Sequence, residues 1–260
     1  MGGAKEELMR FTVLNELAKT DQMSTADAIQ LLNVSESTVR RLFAKLEACH
    51  DVIRVYGGIR ANRSQNSYQY DRFYSHEQEA KSVIGNIAGN LVANSDCIFI
   101  DCGTTTVHMV QRLVERMQSG ELHNISIVTN SLVNLELLAP HCKAILAGGI
   151  YTPERKSFAG YLSERFITQF HFNKSFIGVD GFTFEEGFAT ADPDFARLSG
   201  AAATAADETF VLMDSSKIGR RSFVVYDKYV RIHKIITDSH VKAEDLERFK
   251  ENGIDVFIGK

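Results

Sequence analysis

The sequence predicts a two-domain protein in which a small helical unit with a β-hairpin precedes a larger α/β domain. Its 260 residues suggest two domains at about 150 residues each. Three short helical patterns and a Gly-Gly turn occupy the first sixty residues, and helix and strand patterns alternate from residue 76 onward. A hydrophobic content of 44% and a charged content of 24% are ordinary for a globular chain with a core.

Several classes of protein are disfavoured by simple features of the chain. No run approaches the roughly 18 apolar residues that cross a bilayer, and the first residues lack the apolar stretch of a signal peptide. We therefore expect a cytoplasmic protein with no membrane partner. We do not expect N-myristoylation, because Glu6 stands where that modification requires Ser or Thr. The four cysteines have neither CxxC nor disulfide-framework spacing, so we expect reduced thiols, no metal and no cofactor.

The net charge of −4 is unevenly distributed. Residues 1–34 carry a net charge of −2, whereas residues 35–63 contain six basic and three acidic side chains and carry +3. A local positive surface on an otherwise acidic protein is typical of a DNA-binding face.

Three helices are predicted in the first fifty residues. Apolar residues at helical spacing predict an amphipathic helix ending near Lys19, and they are Leu8, Phe11, Leu14, Leu17 and Ala18. Ser24 is a good N-cap for a short second helix, and Asn33-Val34 predicts a tight turn. Ser35 is the N-cap of a third helix, whose apolar stripe comprises Val39, Leu42, Phe43 and Leu46.

The third helix leaves polar and basic side chains available to a partner, and these are Ser35, Ser37, Thr38, Arg40, Arg41 and Lys45. A short helix, a sharp turn and such a helix form a helix-turn-helix pattern, in which hydroxyl and guanidinium groups can enter the major groove. A strand at residues 52–56, a Gly57-Gly58 turn and a returning strand predict a wing that places Arg54 and Arg60 near DNA phosphates. Residues 1–60 are thus predicted to be a winged helix-turn-helix bound to double-stranded DNA. The alternative is a three-helix interaction module whose arginines are merely solvated.

Residues 61–75 are polar and are predicted to be a linker to a second domain at 76–260. Helices are predicted at residues 77–93, 105–118, 132–138, 162–170 and 195–206. Strands are predicted at residues 97–100, 126–128, 144–146, 174–179, 209–213, 234–237 and 255–258. Their alternation indicates a largely parallel sheet covered by helices.

Small polar groups follow successive predicted strands, and ligands of open α/β sheets bind at the carboxyl ends of strands. The candidate effector-binding residues are Asp101, Gly103, Thr104, Thr105, Thr106, Asn130, Gly148, Gly149, Asp180, Asp214 and Lys217. The turn at 103–106 suits a phosphate, because glycine permits close approach and the following helix presents unpaired N–H groups. Lys217 adds a positive charge, and the three aspartates are expected to accept hydrogen bonds from sugar hydroxyls.

These motifs resemble the DeoR-type family of bacterial repressors. The resemblance lies in residues 35–41, 46–47 and 53–58 of the first domain, and in residues 101–105, 129–130, 148–149, 176–181, 214–217 and 236–239 of the second. It implies a Rossmann-like effector domain related to sugar-phosphate isomerases, and a repressor whose operator binding is controlled by a phosphorylated sugar or related metabolite. The sequence departs from the family pattern at Leu42, Phe43, His50, Asn173, Phe195 and Ser199.

Two alternatives to a sensor remain open at this stage. A sugar-phosphate isomerase or deaminase with a DNA-binding head would use Asp180, Asp214 and Lys217 as base, acid and electrostatic stabiliser. We expect no enzyme, because no His–acid pair or metal motif supplies a committed base. A plain interaction module leaves the convergent loops unexplained. We also expect a homodimer or homotetramer that places two heads on half-sites about one helical turn apart.

Overall fold

A computed structural model describes residues 9–10, 12–13, 16–17, 20, 22–48, 52–61, 74, 77–232 and 234–259. The chain forms two compact units, Met1–Ser67 and Tyr68–Lys260, each described by itself below. Several predicted features lie outside the described residues, namely Leu8, Phe11, Leu14, Ala18, Lys19, Cys49, His50 and linker residues 62–73 and 75. In the described part of the chain, no helix combines the length and apolar character needed to cross a membrane.

The first unit contains α1 (Thr25–Leu32), α2 (Glu36–Ala48), β1 (Gln22–Ser24), β2 (Val52–Val55) and β3 (Gly58–Ala61). Ser24 caps α1 as predicted, because its Oγ accepts the Asp27 N–H at 3.1 Å and its own N–H donates to the Asp27 carboxylate. Asn33 ends α1 in the left-handed conformation, with φ of 51°. The predicted apolar stripe of α2 is confirmed, since all four of its members are buried.

The predicted two-stranded wing is a three-stranded antiparallel sheet in the order β1-β3-β2. Strand β1 has only three residues, which are too few to show the alternation of a strand. The sequence therefore indicated only a polar break before Ser24. Gly57 has φ of +80°, which favours glycine. Gly58 is required for a different reason, because a Cβ there would lie 2.2 Å from the Met23 carbonyl oxygen. Ala61, predicted as the first linker residue, is the last residue of β3.

The second unit is built on a seven-stranded, entirely parallel sheet. The strands of the second unit include those of the main sheet and those of smaller sheets. In chain order they are β4 (Cys97–Ile100), β5 (Ser126–Thr129), β6 (Lys143–Leu146), β7 (Ile150–Thr152), β8 (Ser157–Ala159), β9 (Phe172–Gly178), β10 (Gly181–Thr183), β11 (Gly187–Thr190), β12 (Ala206–Leu212), β13 (Val224–Asp227), β14 (Lys234–Thr237) and β15 (Asp255–Ile258). The main sheet has the order β15-β14-β12-β9-β4-β5-β6. All seven predicted strands are therefore confirmed as members of this sheet.

Helices cover both faces of the main sheet. They are α3 (Gln78–Asn90), α4 (Thr104–Gln118), α5 (Leu132–Leu138), α6 (Tyr161–Ile167), α7 (Pro193–Thr204) and α8 (Ala243–Glu251). Ile98 and Ile100 pack into one apolar cluster while Phe99 packs into the other, as the alternation of a doubly buried strand requires. Helices α3 and α4 cross closely at Gly85, where a Cβ would lie 2.6 Å from the His108 backbone.

Three smaller elements were not predicted. They are the β7–β8 hairpin, the antiparallel sheet β10-β11-β13 and the helix α8. The strands have only three or four residues and begin or end at glycines or polar turns, so they show no period-2 pattern. The β7–β8 hairpin and the sheet β10-β11-β13 both contribute residues to the site described next.

Candidate functional site

The eight side chains predicted to meet DNA are all accessible on the first unit, and the set is here called the basic face. Its members are Ser35, Ser37, Thr38, Arg40, Arg41, Lys45, Arg54 and Arg60, and each is exposed or half-exposed. Arg40 pairs with Glu36 at 2.6 Å within α2. The Arg54 guanidinium carbon lies 5.7 Å from the centre of the Phe43 ring, which links the wing to α2.

The turn of the wing is also attached to the helix-turn-helix. The backbone N–H of Thr25 and its hydroxyl both donate to the Gly57 carbonyl oxygen, at 2.8 and 3.1 Å. The Ser35 Oγ lies 3.4 Å from the Thr38 N–H at the start of α2, and 2.9 Å from the Thr38 hydroxyl. Hydroxyls at this helix N-terminus are thus held in place on an exposed, basic surface.

In the second unit, a cleft lies where the strand order of the main sheet reverses. From β4 the chain proceeds to β5 and β6 on one side, whereas β9, β12, β14 and β15 extend the sheet on the other. Such a switch point between neighbouring parallel strands opens a crevice at their carboxyl ends. The loops after β4, β9 and β12 line this crevice, here called the central cleft.

Seven of the eleven predicted effector-binding residues line the central cleft, namely Asp101, Gly103, Thr104, Thr105, Asp180, Asp214 and Lys217. Gly103 is the N-cap of α4 and makes no side-chain cap, so the first turn of the helix presents its N–H groups without a local acceptor side chain. Lys217 ends a 3₁₀ turn at Ser215–Lys217. The lining of the cleft thus includes a helix N-terminus and an ammonium group, which suit an anion.

The three aspartates of the cleft all accept hydrogen bonds from the protein, and Asp101 and Asp180 join separate loops. Asp101 accepts the Cys102 N–H at 2.7 Å and the Gly178 N–H at 3.1 Å, so it joins the ends of β4 and β9. Burial raises the pKa of this carboxyl. Asp214 accepts the Ser216 N–H at 3.1 Å and caps the 3₁₀ turn.

Asp180 is the centre of a buried network. Its Oδ2 accepts hydrogen bonds from the Arg155 guanidinium at 2.9 Å, the Thr190 hydroxyl at 2.7 Å and the Ala191 N–H at 2.9 Å. Burial alone raises the pKa of Asp180, but the charge of Arg155 and these hydrogen bonds outweigh it and hold the pKa below its ordinary value. The carboxylate is therefore ionised and committed to its neighbours at neutral pH.

The predicted residues Thr106, Asn130, Gly148 and Gly149 do not line the central cleft. Thr106 is fully buried, and its hydroxyl donates to the Asp101 and Gly103 carbonyl oxygens. Asn130 follows β5, beyond β4 in the sheet, and its amide donates to the Phe158 carbonyl oxygen at 3.0 Å. Gly148 and Gly149 follow the edge strand β6, where a Cβ at Gly149 would lie 2.1 Å from the Ser163 Oγ. Four of the predicted positions thus serve packing and backbone bonding.

Comparison with known proteins identifies the family. Residues 12–65 match the DeoR-like helix-turn-helix domain, and residues 76–239 match the DeoR C terminal sensor domain. The chain belongs to the DeoR family of transcriptional regulators. It is 32% identical to the HTH-type transcriptional regulator FruR of Bacillus subtilis over 82% of this chain and 84% of that protein. It is 29% identical to the lactose phosphotransferase system repressor of Staphylococcus epidermidis, over 90% of this chain and 93% of that protein.

The predicted DeoR-type fold, a helix-turn-helix followed by a parallel α/β sensor domain, is thereby confirmed. Among solved structures, ribose 5-phosphate isomerase A from Methanocaldococcus jannaschii matches 54% of this chain and 54% of its own chain, with 16% identity and a TM-score of 0.41. The relatives named above are regulators of transcription.

The central cleft also contains residues that sequence reasoning missed. Arg155 comes from the loop between β7 and β8, is 7% exposed, and lies 4.5 Å above the centre of the Phe195 ring. Phe195 and Ser199, two departures from the family pattern, both line the cleft. No local pattern marks Arg155, because it sits in a short turn with no apolar period.

Lys81 is another cleft residue that sequence reasoning missed, although its position in the predicted helix was informative. It occupies a buried position of α3, in register with the buried residues Ile84, Gly85 and Ala88. A lysine on the apolar stripe of a core helix is rarely fully buried unless it is paired. That position, three and four residues from buried neighbours, was sufficient to single it out from sequence.

Proposed function

We propose that this DeoR-family protein is a transcriptional repressor that binds operator DNA through the basic face and is controlled by a phosphorylated sugar in the central cleft. The observation that carries the proposal is a cleft at the switch point of the sensor sheet, lined by three cations and a helix N-terminus. One relative is named as the repressor of a lactose phosphotransferase system. A dimeric helix-turn-helix protein binds the two half-sites of a two-fold symmetric operator. We therefore extend the proposal to a homodimer or homotetramer.

The two ends of the cleft suit the two ends of a sugar phosphate. A phosphate at the start of α4 would receive N–H groups of Thr104 and Thr105 together with the Lys217 ammonium. We place the sugar at Arg155 and Asp180, which are already paired with each other. A paired carboxylate and guanidinium favour hydroxyl groups over a second anion, because their charges already balance.

The geometry does not support the enzyme alternative in which Asp180 and Asp214 act as base and acid. A general base needs a carboxylate within reach of substrate and a pKa near the working pH. Asp180 has a lowered pKa and three donors on one oxygen, and Asp214 is the cap of a turn. We propose a sensor without turnover, and proton exchange at the sugar carbons, followed by NMR in deuterated water, tests it. Exchange at ordinary enzyme rates would contradict the sensor proposal.

Thermal-shift screening of the full chain tests the sugar phosphate directly. Pentose and hexose phosphates are compared with the same unphosphorylated sugars, because a ligand at 100 times its Kd stabilises the folded state by about 2.7 kcal/mol. We expect shifts from phosphorylated sugars alone. The active compound is then added to the protein on operator DNA selected from a random pool, and we expect it to change the anisotropy-measured affinity.

Substitutions locate the response. Lys217→Ala and Thr104→Val are expected to reduce the thermal shift and leave operator affinity intact, since both residues line the cleft. Lys143→Ala removes the same charge from an exposed position on β6 and is expected to change neither property. Equal shifts with unphosphorylated sugars, or an unaltered response in Lys217→Ala, would refute the proposed site.

A further inference from the structure

Tyr74 is the residue of the predicted linker that the structure describes between Ala61 and Glu77. It belongs to the second unit and is half-buried there. Its ring is stacked on the imidazole of His108, with the ring centres 5.6 Å apart and the ring planes 8° from parallel. Parallel rings at this separation are offset, which is a favourable arrangement for an aromatic pair. Tyr74 therefore attaches the chain to α4 just before α3 begins.

The position of His108 on α4 relates this stack to the central cleft. His108 follows Thr104 by four residues and Thr105 by three, so it lies one helical turn from both on the same side of α4. Thr104 and Thr105 line the cleft, whereas Tyr74 and His108 do not. A ligand that displaces or orders the first turn of α4 therefore acts on the turn next to the one that carries His108.

The surroundings of His108 favour a ring whose position depends on packing. A Cβ at Gly85 of α3 would lie 2.6 Å from the His108 Cβ, so α3 packs directly against this residue. The Nε2 atom of His108 is buried and has no hydrogen-bond partner within the described part of the chain. Burial and the positive charge of Lys81 lower the pKa of His108, so the ring is neutral at pH 7. An unpaired buried nitrogen costs free energy, which favours any state in which Nε2 regains a partner.

We infer that the stack of Tyr74 on His108 couples the central cleft to the DNA-binding unit, because it is formed to different extents in the effector-bound and the operator-bound protein. The inference rests on the proposed function. His108 is the positioning residue on α4, and Tyr74 transfers its position to the chain that precedes it. Neither residue needs to contact the effector for this role.

The strength of an aromatic stack sets the size of the coupling that it can carry. A contact shifts an equilibrium between two states only by the difference in its strength between them. An aromatic pair contributes about 2- to 12-fold to an equilibrium constant. Effectors of allosteric proteins change the affinity for a second ligand by about 5- to 150-fold. The stack is therefore strong enough to carry a measurable share of the response, but not all of a large one.

The experiment measures the coupling itself on the full chain. Operator affinity is determined by fluorescence anisotropy with and without a saturating amount of the sugar phosphate that gives the largest thermal shift. The ratio of the two Kd values is the coupling factor, and we expect Tyr74→Ala to bring it closer to one by about 2- to 12-fold. Calorimetric titration of the same sugar phosphate with and without operator should give the same factor, because coupling is reciprocal. A merely structural role would change the individual affinities and leave their ratio unaltered.

Matched variants identify the group that carries the coupling. Tyr74→Phe keeps the ring and should keep the wild-type coupling factor. His108→Ala should reproduce the factor of Tyr74→Ala, and the double variant should lose no more than either single one, because both remove the same contact. Tyr161→Ala removes a tyrosine that is 67% exposed on α6 and should leave the factor unaltered.

The contact is also measured without any ligand. Tyr74→Ala uncovers the imidazole, so the pKa of His108 should rise toward its ordinary value of 6.5 in an NMR titration, with the signal assigned by its loss in His108→Ala. If no sugar phosphate changes the operator affinity of the wild type, the proposed function fails and the inference fails with it. A wild-type response combined with an unaltered coupling factor in Tyr74→Ala, a factor as low in Tyr74→Phe as in Tyr74→Ala, or an unchanged pKa of His108 overturns the inference alone.

Discussion

The basic face and the central cleft are built in opposite ways. The residues of the basic face lie between positions 35 and 60, and the solvent reaches all of them. The cleft instead collects residues from six separate segments, and most of them are buried; these are residues 81, 101–105, 155, 178–180, 190–199 and 212–217. A surface of the first kind follows from a local pattern, whereas a cleft of the second kind depends on the order of strands in a sheet.

This difference has an energetic consequence. An exposed arginine contributes little to stability, because water screens its charge. A buried charged side chain contributes to the fold and to the site together, since its removal leaves the charge of its partner buried and uncompensated. Substitutions in the cleft are therefore expected to change stability and function together, and substitutions on the basic face to change DNA affinity alone.

The largest expected effect comes from Asp180→Asn in the cleft. The side chains of Asp180 and Arg155 are 19% and 8% exposed, and breaking a buried pair from one side destabilises a protein by about 3–5 kcal/mol. We expect a loss near the lower end at pH 7, because Asn retains part of the hydrogen bonding. Urea unfolding measures it, and hydrogen exchange of β9 and β12 peptides assigns the loss to the second unit.

The pH dependence of the same variant provides a second measurement. Because the pKa of Asp180 is lowered in the folded protein, its charge stabilises the fold above its unfolded pKa of about 3.9. That contribution is lost as the pH falls through the folded-state pKa, so wild type and Asp180→Asn should converge in acid. Asp207→Asn removes an exposed carboxylate and should have little effect. Equal stability of Asp180→Asn and wild type at pH 7 would remove the stated contrast between cleft and surface.

Arg41→Ala is expected to produce the next largest effect, on DNA affinity alone. An arginine that contacts a base or phosphate contributes about 1–3 kcal/mol to binding, which corresponds to about 5- to 150-fold in Kd. Fluorescence anisotropy on selected operator DNA at fixed salt measures it. Arg165→Ala removes the same charge from an exposed position on α6 and should bind operator normally. A weakened effector response in Arg41→Ala would contradict the division between the two regions.

Sequence reasoning performed differently in the two regions, for physical reasons. The caps at Ser24 and Ser35, the apolar stripe of α2 and all seven main strands follow from local periodicity and hydrogen-bonding groups. Asn130 and Gly149 were placed with Asp101 because all follow apolar strands. Strand-end position does not reveal that β5 and β6 lie beyond β4, away from the switch point.

The residues missed in the cleft show the same limit from the other direction. Arg155 reaches the cleft from a loop inserted between the short strands β7 and β8, and no strand-end rule covers such an insertion. Lys81 was detectable as a charge on an apolar helix stripe, but only the packing of α3 on α4 shows which cavity it faces. Thr106 belongs to the same turn at residues 103–106 as Thr104, but its hydroxyl donates hydrogen bonds to backbone carbonyl oxygens.

The smallest expected effects distinguish two serines of the first unit. Ser24 and Ser35 both cap helices, and replacing such a cap with alanine destabilises a helix by about 1 kcal/mol. Ser24→Ala should show that loss in urea unfolding and leave operator affinity unchanged, because the folded population at 25 °C remains dominant. Ser35→Ala should lose a similar amount of stability and also weaken operator binding, since Ser35 lies on the basic face beside Thr38. Equal operator affinity in the two variants would mean that the Ser35 hydroxyl caps α2 without meeting DNA, and it would confine the DNA contacts of this helix to the side chains that follow.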